Sequence, residues 1–238
     1  MALILNIESS SNMCSVALSS DGIVLGYIES DEEKSHAGKL TIFIEELLKK
    51  HNISTNNLDA IAVSQGPGSY TGLRIGISVA KGICYAIDKP LIAVGTLQSL
   101  SFGLHNNDIF DISKLSLSKD TLFCPMIDAR RMEVYTAIYS IDNELIGKVH
   151  AKIIEKNSFI ETLDNGSMVF FGNGANKCKE VIKHKNAIFV DNILLSARYM
   201  ATLAEKIFNK KVFCDTAYFE PFYLKDFIAT TPKKSIIS

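Results

Sequence analysis

Short apolar runs separated by turn signals open the chain, a pattern typical of β-strands. We predict strands at residues 3–7, 13–18 and 23–28. Between the last two, Asp21 and Gly22 form the dipeptide that most strongly indicates a hairpin. The chain therefore begins with three strands, of which the second and third are antiparallel.

Apolar positions then change to the helical period. Over residues 36–50 they recur at i, i+4, i+7 and i+8, which predicts an amphipathic helix. A strand at 60–64 and a glycine-rich turn lead to a second helix at 70–87, whose apolar side chains cover nearly its whole circumference. Such a helix either lies at the centre of a core or keeps one face for a partner protein, and the pattern leaves both open.

The second half of the chain repeats the order of elements in the first half. The first half ends with a strand at 91–94 and a helix at 96–104, and polar residues follow at 105–120. The predicted elements of the second half are strands at 122–127, 133–140 and 146–154, a helix at 158–163, a strand at 169–171 and helices at 176–184 and 195–208. We therefore predict two similar α/β lobes, residues 1–104 and 105–238, with a cleft between them. The last segment, about residues 209–238, is a candidate to pack back on the first lobe.

Composition narrows the classes of function. The 238 residues include 25 Lys or Arg and 26 Asp or Glu, a formal net charge of −1. Nucleic-acid binders usually carry a basic excess, so this chain is not expected to hold nucleic acid by itself. Five dispersed cysteines fit neither a disulfide framework nor a zinc site. Without a signal peptide or an apolar stretch of about 20 residues, the chain is expected to be cytoplasmic and not bound to membranes.

The strongest motif is Gly66-Pro67-Gly68-Ser69-Tyr70-Thr71-Gly72-Leu73-Arg74. A glycine turn between a strand and a helix can present backbone N–H groups to an anion. A phosphate loop requires a lysine after Gly72, and none follows it here. On spacing alone, a tight turn with Ser69 or Thr71 as N-cap is the favoured reading of the motif. Glu8, after the first strand, and the turn at 172–174 are open to the same two readings: each could contact a ligand or could serve only to form a turn.

Four charges fall within the six residues 128–133, between two predicted strands. The more common reading is an aspartate–arginine pair that fixes a hinge between the lobes, and the alternative is a catalytic constellation. The histidines lack metal-binding spacing, so no metal site is predicted. The four lysines between residues 177 and 185 are most simply a solvated helix face.

Together these segments resemble the bacterial TsaB family, also called YeaZ. The matching segments are residues 3–11, 14–18, 66–76, 90–94, 127–135 and 220–224. The resemblance covers nearly the whole chain and implies an actin-like ATPase (ribonuclease H-like) fold of two duplicated mixed-sheet α/β lobes. It also implies a role in forming threonylcarbamoyladenosine next to the anticodon of certain tRNAs.

The family resemblance implies a subunit without catalytic activity or cofactor, which activates a TsaD-type enzyme. A TsaE-type ATPase joins through that complex, tRNA is reached only indirectly, and the isolated chain is expected to form a homodimer. Docking is expected through the helices at 36–50 and 71–87. The implied interface residues are Leu40, Phe43, Ile44, Leu47, Leu73, Ile77, Ala80, Lys81 and Cys84.

The resemblance also suggests a vestigial nucleotide or phosphate site. Its residues would be Glu8, Ser9, Gly66, Gly68, Ser69, Thr71, Gly72, Arg74, Gly172 and Gly174, and the hinge would comprise Asp128, Arg130, Arg131 and Glu133. Most relatives carry Asp in place of Glu8. TsaD-like relatives have two metal-binding histidines where this chain has Thr96 and Leu100, which cannot hold a metal. The alternatives are an ATP-binding actin-like enzyme (kinase or ATPase) and, with less support, a glycoprotease-type metallopeptidase.

Overall fold

Two five-stranded mixed sheets form the framework of the protein. The computed structural model describes residues 2–31, 36–105, 111–115 and 117–225. The strands of the first sheet are β1 (Leu3–Glu8), β2 (Cys14–Ser20), β3 (Ile23–Ser30), β4 (Ala60–Gly66) and β5 (Leu91–Gly95). Those of the second sheet are β6 (Leu122–Asp128), β7 (Glu133–Tyr139), β8 (Leu145–Ile153), β9 (Met168–Phe171) and β10 (Ala187–Val190). The described α-helices are α1 (His36–Lys50), α2 (Tyr70–Ile87), α3 (Thr96–His105), α4 (Ile160–Asn165) and α5 (Ala201–Asn209).

Both sheets have the same topology. Their strand orders are β3-β2-β1-β4-β5 and β10-β9-β6-β7-β8. In each sheet the first three strands pair antiparallel, and the two later strands add in parallel beside the first. This repeat confirms the predicted duplicated α/β architecture, which is that of the actin-like, ribonuclease H-like fold.

The second lobe departs from the predicted elements in two places. The helix expected at 176–184 is a single 3₁₀ turn, Asn176–Cys178, and the short strand β10, which follows it, was not predicted. The helix expected at 195–208 is divided into a 3₁₀ turn, Ala197–Met200, and α5. Strand β10 has only four residues, too few for an alternating pattern to show.

The two lobes exchange helices. Helix α3 follows the first sheet in sequence, yet its Leu97, Leu100 and Leu104 belong to the core cluster of the second sheet. Helix α5 follows the second sheet, yet Leu203 and Ala204 pack in the core on the first. A boundary at residue 104 therefore does not coincide with the packing, because α5 packs on the first sheet and α3, apart from Phe102, packs on the second.

The C-terminal segment, residues 212–225, runs back along the first lobe. Cys214 donates its backbone N–H to the carbonyl of Leu91 in the edge strand β5, at 2.9 Å. Farther along, the N–H of Phe222 donates to the carbonyl of Gln65 at the end of β4, at 2.7 Å. This segment therefore reaches from the edge of the first sheet to the glycine turn.

Candidate functional site

The glycine turn between β4 and α2 is pressed against the end of β1. The N–H of Ser69 donates to the carbonyl of Ser10 at 2.6 Å, and the Ser9 hydroxyl donates to the carbonyl of Gly72 at 2.8 Å. A side chain at Gly68 or Gly72 would collide with the backbone carbonyl oxygens of Ser10 and Ser9. Close packing of helix α2 on strand β1 therefore accounts for these two glycines.

The first turn of α2 is capped by its own sequence. The Ser69 hydroxyl accepts the N–H of Gly72 at 3.2 Å, as the N-cap reading predicts. Arg74 does not take part in this cap. Its Nε donates to the Tyr223 hydroxyl at 3.1 Å, and its guanidinium lies 4.2 Å from the centre of the Tyr70 ring. The Arg74 side chain is thus engaged with aromatic rings.

Glu8, at the end of β1, is fully buried. Its Oε1 accepts the Ser10 N–H and hydroxyl, both at 2.6 Å, and the Ser64 hydroxyl at 3.0 Å. Its Oε2 has no hydrogen-bond partner among the described residues. Burial raises the pKa of this carboxyl, and hydrogen bonds from Ser10, Ser64 and Ser9 offset the effect only in part. A carboxyl that is closed to solvent and biased toward its neutral form is a poor ligand for a cation.

The turn at 172–174 is also explained by packing. Gly172 has a φ of +97°, and a side chain there would collide with the carbonyl oxygen of Met126. A side chain at Gly174 would press on the backbone where Ile127 meets Asp128. Both glycines therefore allow this turn to lie directly on strand β6.

A cleft of about 240 Å³ lies between the lobes. Its described lining residues are Ser11, Asn12, Met13, Asp31, Leu100, Asn173, Ile193, Leu194 and Leu195. The ten residues predicted for a nucleotide or phosphate site are not among them. The structure thus brings Glu8, Ser9 and the first glycine turn together, but in a packed junction beside the cleft wall.

Helices α1 and α2 lie on one face of the first sheet, and most residues predicted for partner docking point into the core there. Those with at most 5% of their surface exposed are Leu40, Ile44, Leu47, Leu73, Ile77, Ala80 and Cys84. The helical repeat of apolar residues marks the side that faces the chain's own sheet. These side chains pack within the first lobe, and Ile44 also reaches the wall of a groove between the two helices. Phe43 is half-buried.

Lys81, also predicted for docking, is bound within the chain. Its ammonium donates to the carbonyl oxygens of Ala217, at 2.9 Å, and Phe219, at 3.2 Å, in the C-terminal segment. The long side chain fastens this segment to α2. Sequence reasoning missed the contact because 136 residues separate Lys81 from Ala217.

An apolar groove of about 570 Å³ opens between α1 and α2 on the outer surface. Its lining residues are Thr41, Ile44, Glu45, Leu48, Lys49, Ile53, Thr55, Val79, Gly82 and Ile83. On the same two helices Ile42 is 50% exposed and Tyr85 is 88% exposed. We call the groove, together with Ile42 and Tyr85 outside its lining on the same helices, the docking face, because exposed apolar surface with an aromatic residue is typical of protein-binding sites.

The charged turn between β6 and β7 does not contain the expected aspartate–arginine ion pair. The carboxylate of Asp128 instead accepts the ammonium of Lys177 at 2.5 Å, and Glu133 pairs with Lys225. Lys177 also donates to the carbonyls of Arg131 and Glu133, each at 2.7 Å. The predicted aspartate–arginine pair is wrong because Lys177 lies beneath the turn and donates hydrogen bonds to three acceptors there.

Thr96 and Leu100 have structural roles, and the buried thiols are held protonated. Thr96 accepts the N–H of Gly66 at 3.0 Å, and Leu100 is buried in the second core. Burial raises the pKa of the thiols of Cys14 to about 11 and of Cys124 to about 12, so both remain protonated near neutrality. Within the described ranges there is no cluster of His, Cys, Asp or Glu able to share a metal ion. Nor does any helix there have the length and apolar character needed to cross a membrane.

Comparison with known proteins gives consistent matches over nearly the full length. The family model for "TsaD: tRNA N6-adenosine threonylcarbamoyltransferase" matches residues 26–233. The tRNA threonylcarbamoyladenosine biosynthesis protein TsaB of Escherichia coli is 28% identical over 95% of this chain and 96% of its own length. The protein of the same name from Buchnera aphidicola is 30% identical over 87% and 92%. The solved structure of YeaZ from Pseudomonas aeruginosa superposes with a TM-score of 0.79 at 26% identity and covers 94% of this chain and 100% of that one.

Proposed function

Since this chain belongs to the TsaB (YeaZ) family, we propose that it is a non-catalytic subunit that binds and activates a TsaD-type transferase in the threonylcarbamoylation of tRNA. Its relatives are named for tRNA threonylcarbamoyladenosine biosynthesis, and the chain takes part in that pathway. The observation that carries the finer proposal is the docking face, which leaves apolar surface of two adjacent helices uncovered.

The occupant we propose for the docking face is a TsaD-type lobe. A tRNA N6-adenosine threonylcarbamoyltransferase from Staphylococcus haemolyticus is 31% identical to this chain over 63% of this chain and 49% of its own length. A lobe of related fold would present a similar pair of helices. Two such pairs can pack ridges into grooves about a pseudo-twofold axis, and Glu45 and Lys49 would supply polar contacts at the rim.

The same geometry accounts for the expected homodimer of the isolated chain, because a second copy can cover the docking face when the transferase is missing. A TsaE-type ATPase would then join through the complex. In this proposal the homodimer and the transferase complex compete for one surface, so they should exclude each other.

Three features support a non-catalytic role. Glu8 is enclosed and biased toward its neutral form, Thr96 and Leu100 serve packing, and the thiol pKa values are raised. The alternative of an ATP-binding enzyme has only the small inter-lobe cleft in its favour, without the predicted phosphate residues on its walls. The metallopeptidase alternative has no candidate ligand cluster in the described part of the chain.

The test is co-elution of the purified chain with the TsaD-type protein of the same organism on gel filtration, followed by tRNA modification assays with and without this chain. We expect a stable complex, loss of the homodimer peak and faster modification. If the two proteins elute separately from low to physiological salt, the proposal is wrong. Titration of the chain alone with Mg-ATP tests the enzyme alternative, for which binding and turnover would be required.

A further inference from the structure

The turn between β6 and β7 holds two adjacent arginines in an unfavourable backbone conformation. Arg130 and Arg131 have φ values of 69° and 45°, in the left-handed region that suits glycine or asparagine. Both side chains are exposed, and within the described ranges neither guanidinium has a hydrogen-bond or ion-pair partner. The turn thus accepts backbone strain for side chains that make no contact inside the chain, and such strain is concentrated at functional sites.

The backbone of this turn is tightly held. The Asp128 carboxylate accepts the N–H of Arg130 at 2.9 Å, and the side chain of Asn173 accepts the N–H of Asp128 at 3.0 Å. Ala129 donates its N–H to the carbonyl of Glu133 at 3.1 Å, and Lys177 fixes the turn from below. The two guanidiniums are therefore presented from a rigid base, which reduces the entropy lost when they bind a ligand.

The charges around the turn leave a local positive excess. Both acids of the turn are already neutralised, Asp128 by Lys177 and Glu133 by Lys225. Neighbouring lysines are paired as well: Lys179 with Asp191, and Lys183 with Glu180. The two arginines thus remain as uncompensated cations in a chain whose formal net charge is −1.

The surroundings of the turn are polar. Asn173 and Asn176 are exposed next to it, and Asn173 also lines the inter-lobe cleft, so the turn lies at the rim of that cleft. Protein-binding surfaces have an apolar, often aromatic core, whereas nucleic-acid interfaces are polar and positively charged. Guanidinium forks match phosphate oxygens with two parallel hydrogen bonds.

We propose that Arg130 and Arg131 bind the phosphate backbone of tRNA when the chain is assembled with its transferase partner. This inference rests on the proposed function and extends it, since the resemblance alone implied only indirect contact with tRNA. The near-neutral chain leaves most of the RNA surface to the partner. The β6–β7 turn adds a backbone contact that positions the RNA without reading its bases.

The test compares two double variants in the assembled complex. Arg130→Asn with Arg131→Gly removes both guanidiniums and suits the left-handed backbone, so the unfolding temperature should equal or exceed that of the wild type. Lys148→Ala with Lys206→Ala removes the same charge from exposed positions away from the turn. Fluorescence anisotropy with labelled tRNA gives the dissociation constant over a series of salt concentrations.

We expect the arginine variant to bind tRNA about tenfold more weakly at low salt. The slope of log K against log salt should become shallower by about 1 for each phosphate that the variant can no longer bind. The lysine control should keep both values near those of the wild type. Equal affinity and slope in the arginine variant would overturn the inference.

Two further outcomes are separable. If the arginine variant loses the transferase but an excess of partner restores wild-type tRNA affinity, the turn binds an acidic protein surface and the inference is wrong. If the wild-type complex does not form, the proposed function fails. The inference is then decided by the same titrations with the isolated chain at low salt.

Discussion

The ring of Tyr223 lies 4.9 Å from the ring of Tyr70, centre to centre, and joins the C-terminal segment to the first turn of α2. Arg74 bonds to the hydroxyl of Tyr223 and covers the face of Tyr70. Helix α2 thus anchors the C-terminal segment at two places: through aromatic contacts in the first turn of the helix and through Lys81 about two turns later.

We predict that Tyr223→Ala releases the end of the C-terminal segment. Loss of the aromatic pair should lower the free energy of unfolding by about 1 kcal/mol, and amide exchange over residues 217–225 should become faster. Hydrogen exchange followed by mass spectrometry measures the local effect. Tyr218→Ala is the matched control because Tyr218 is 83% exposed; equal exchange in the two variants would contradict the anchoring role.

Gly82 offers a variant that blocks the docking face without disturbing the core. It lines the groove, and a side chain built there meets no atom within 4 Å. We predict that Gly82→Glu weakens binding of the transferase by at least about tenfold, because a carboxylate would be buried against apolar surface. Isothermal titration calorimetry measures the affinity.

Gly82→Ala is the control for that variant. Alanine should stabilise the helix by about 0.5–1 kcal/mol relative to glycine and leave binding nearly unchanged. If Gly82→Glu is folded and binds the transferase as tightly as Gly82→Ala does, the groove is not the interface.

Ile77→Ala and Ile42→Ala separate core residues from docking residues on the two helices. Ile77 is 4% exposed, so its truncation should cost about 2–4 kcal/mol of folding free energy without a specific effect on binding. Ile42 is 50% exposed, so its truncation should change stability by less than about 0.5 kcal/mol but weaken docking. Chemical denaturation and calorimetry on both variants check this assignment, which the reverse pattern would refute.

Glu8→Gln should change how stability depends on pH. In the unfolded chain the Glu8 carboxyl ionises near its ordinary pKa of 4.5, whereas burial raises the pKa in the folded protein. The wild type therefore gains stability from this group below pH 4.5 and loses it as the pH rises through the folded-state pKa. Glutamine cannot ionise, so the variant should become more stable relative to the wild type over that rise.

Urea denaturation of the wild type and the Glu8→Gln variant at a series of pH values from about 4 to 8 measures this difference. Ser64→Ala is a useful companion, because it removes one donor to Oε1 and should raise the folded-state pKa further. A difference in unfolding free energy that does not change with pH would show that the carboxyl ionises alike in both states.

The sequence was sufficient to predict the duplicated sheets, because three-strand meanders and glycine turns leave local signals in each half. It did not separate core residues from surface residues on the two helices: the strongest apolar stripe on α1 and α2 contains Leu47 and Ile77, which face the chain's own sheet. Tyr85, on a solvent-exposed part of α2, is the residue that favours the proposed docking face, since a helix buried in a core does not need an exposed aromatic residue.

Contacts between distant segments explain the remaining differences. Lys177 takes the carboxylate of Asp128 from 49 positions away, so the local sequence at 128–133 predicted a pair with arginine instead. Residue type also did not indicate that Arg130 and Arg131 would be left-handed, since most such positions hold glycine or asparagine. Both features depend on how the turn at 172–174 packs beneath the hairpin.

The exchange of helices between the lobes sets the order in which the chain can mature on the ribosome. The face of the first sheet that contains Ala62, Ile92 and Val94 is covered by Met200 and Leu203. These residues are synthesised more than a hundred positions after β5. Apart from its contact with Phe102 of α3, this apolar face of the nascent first lobe therefore stays uncovered until residues 200–209 emerge, and the second half of the chain completes the folding of the first.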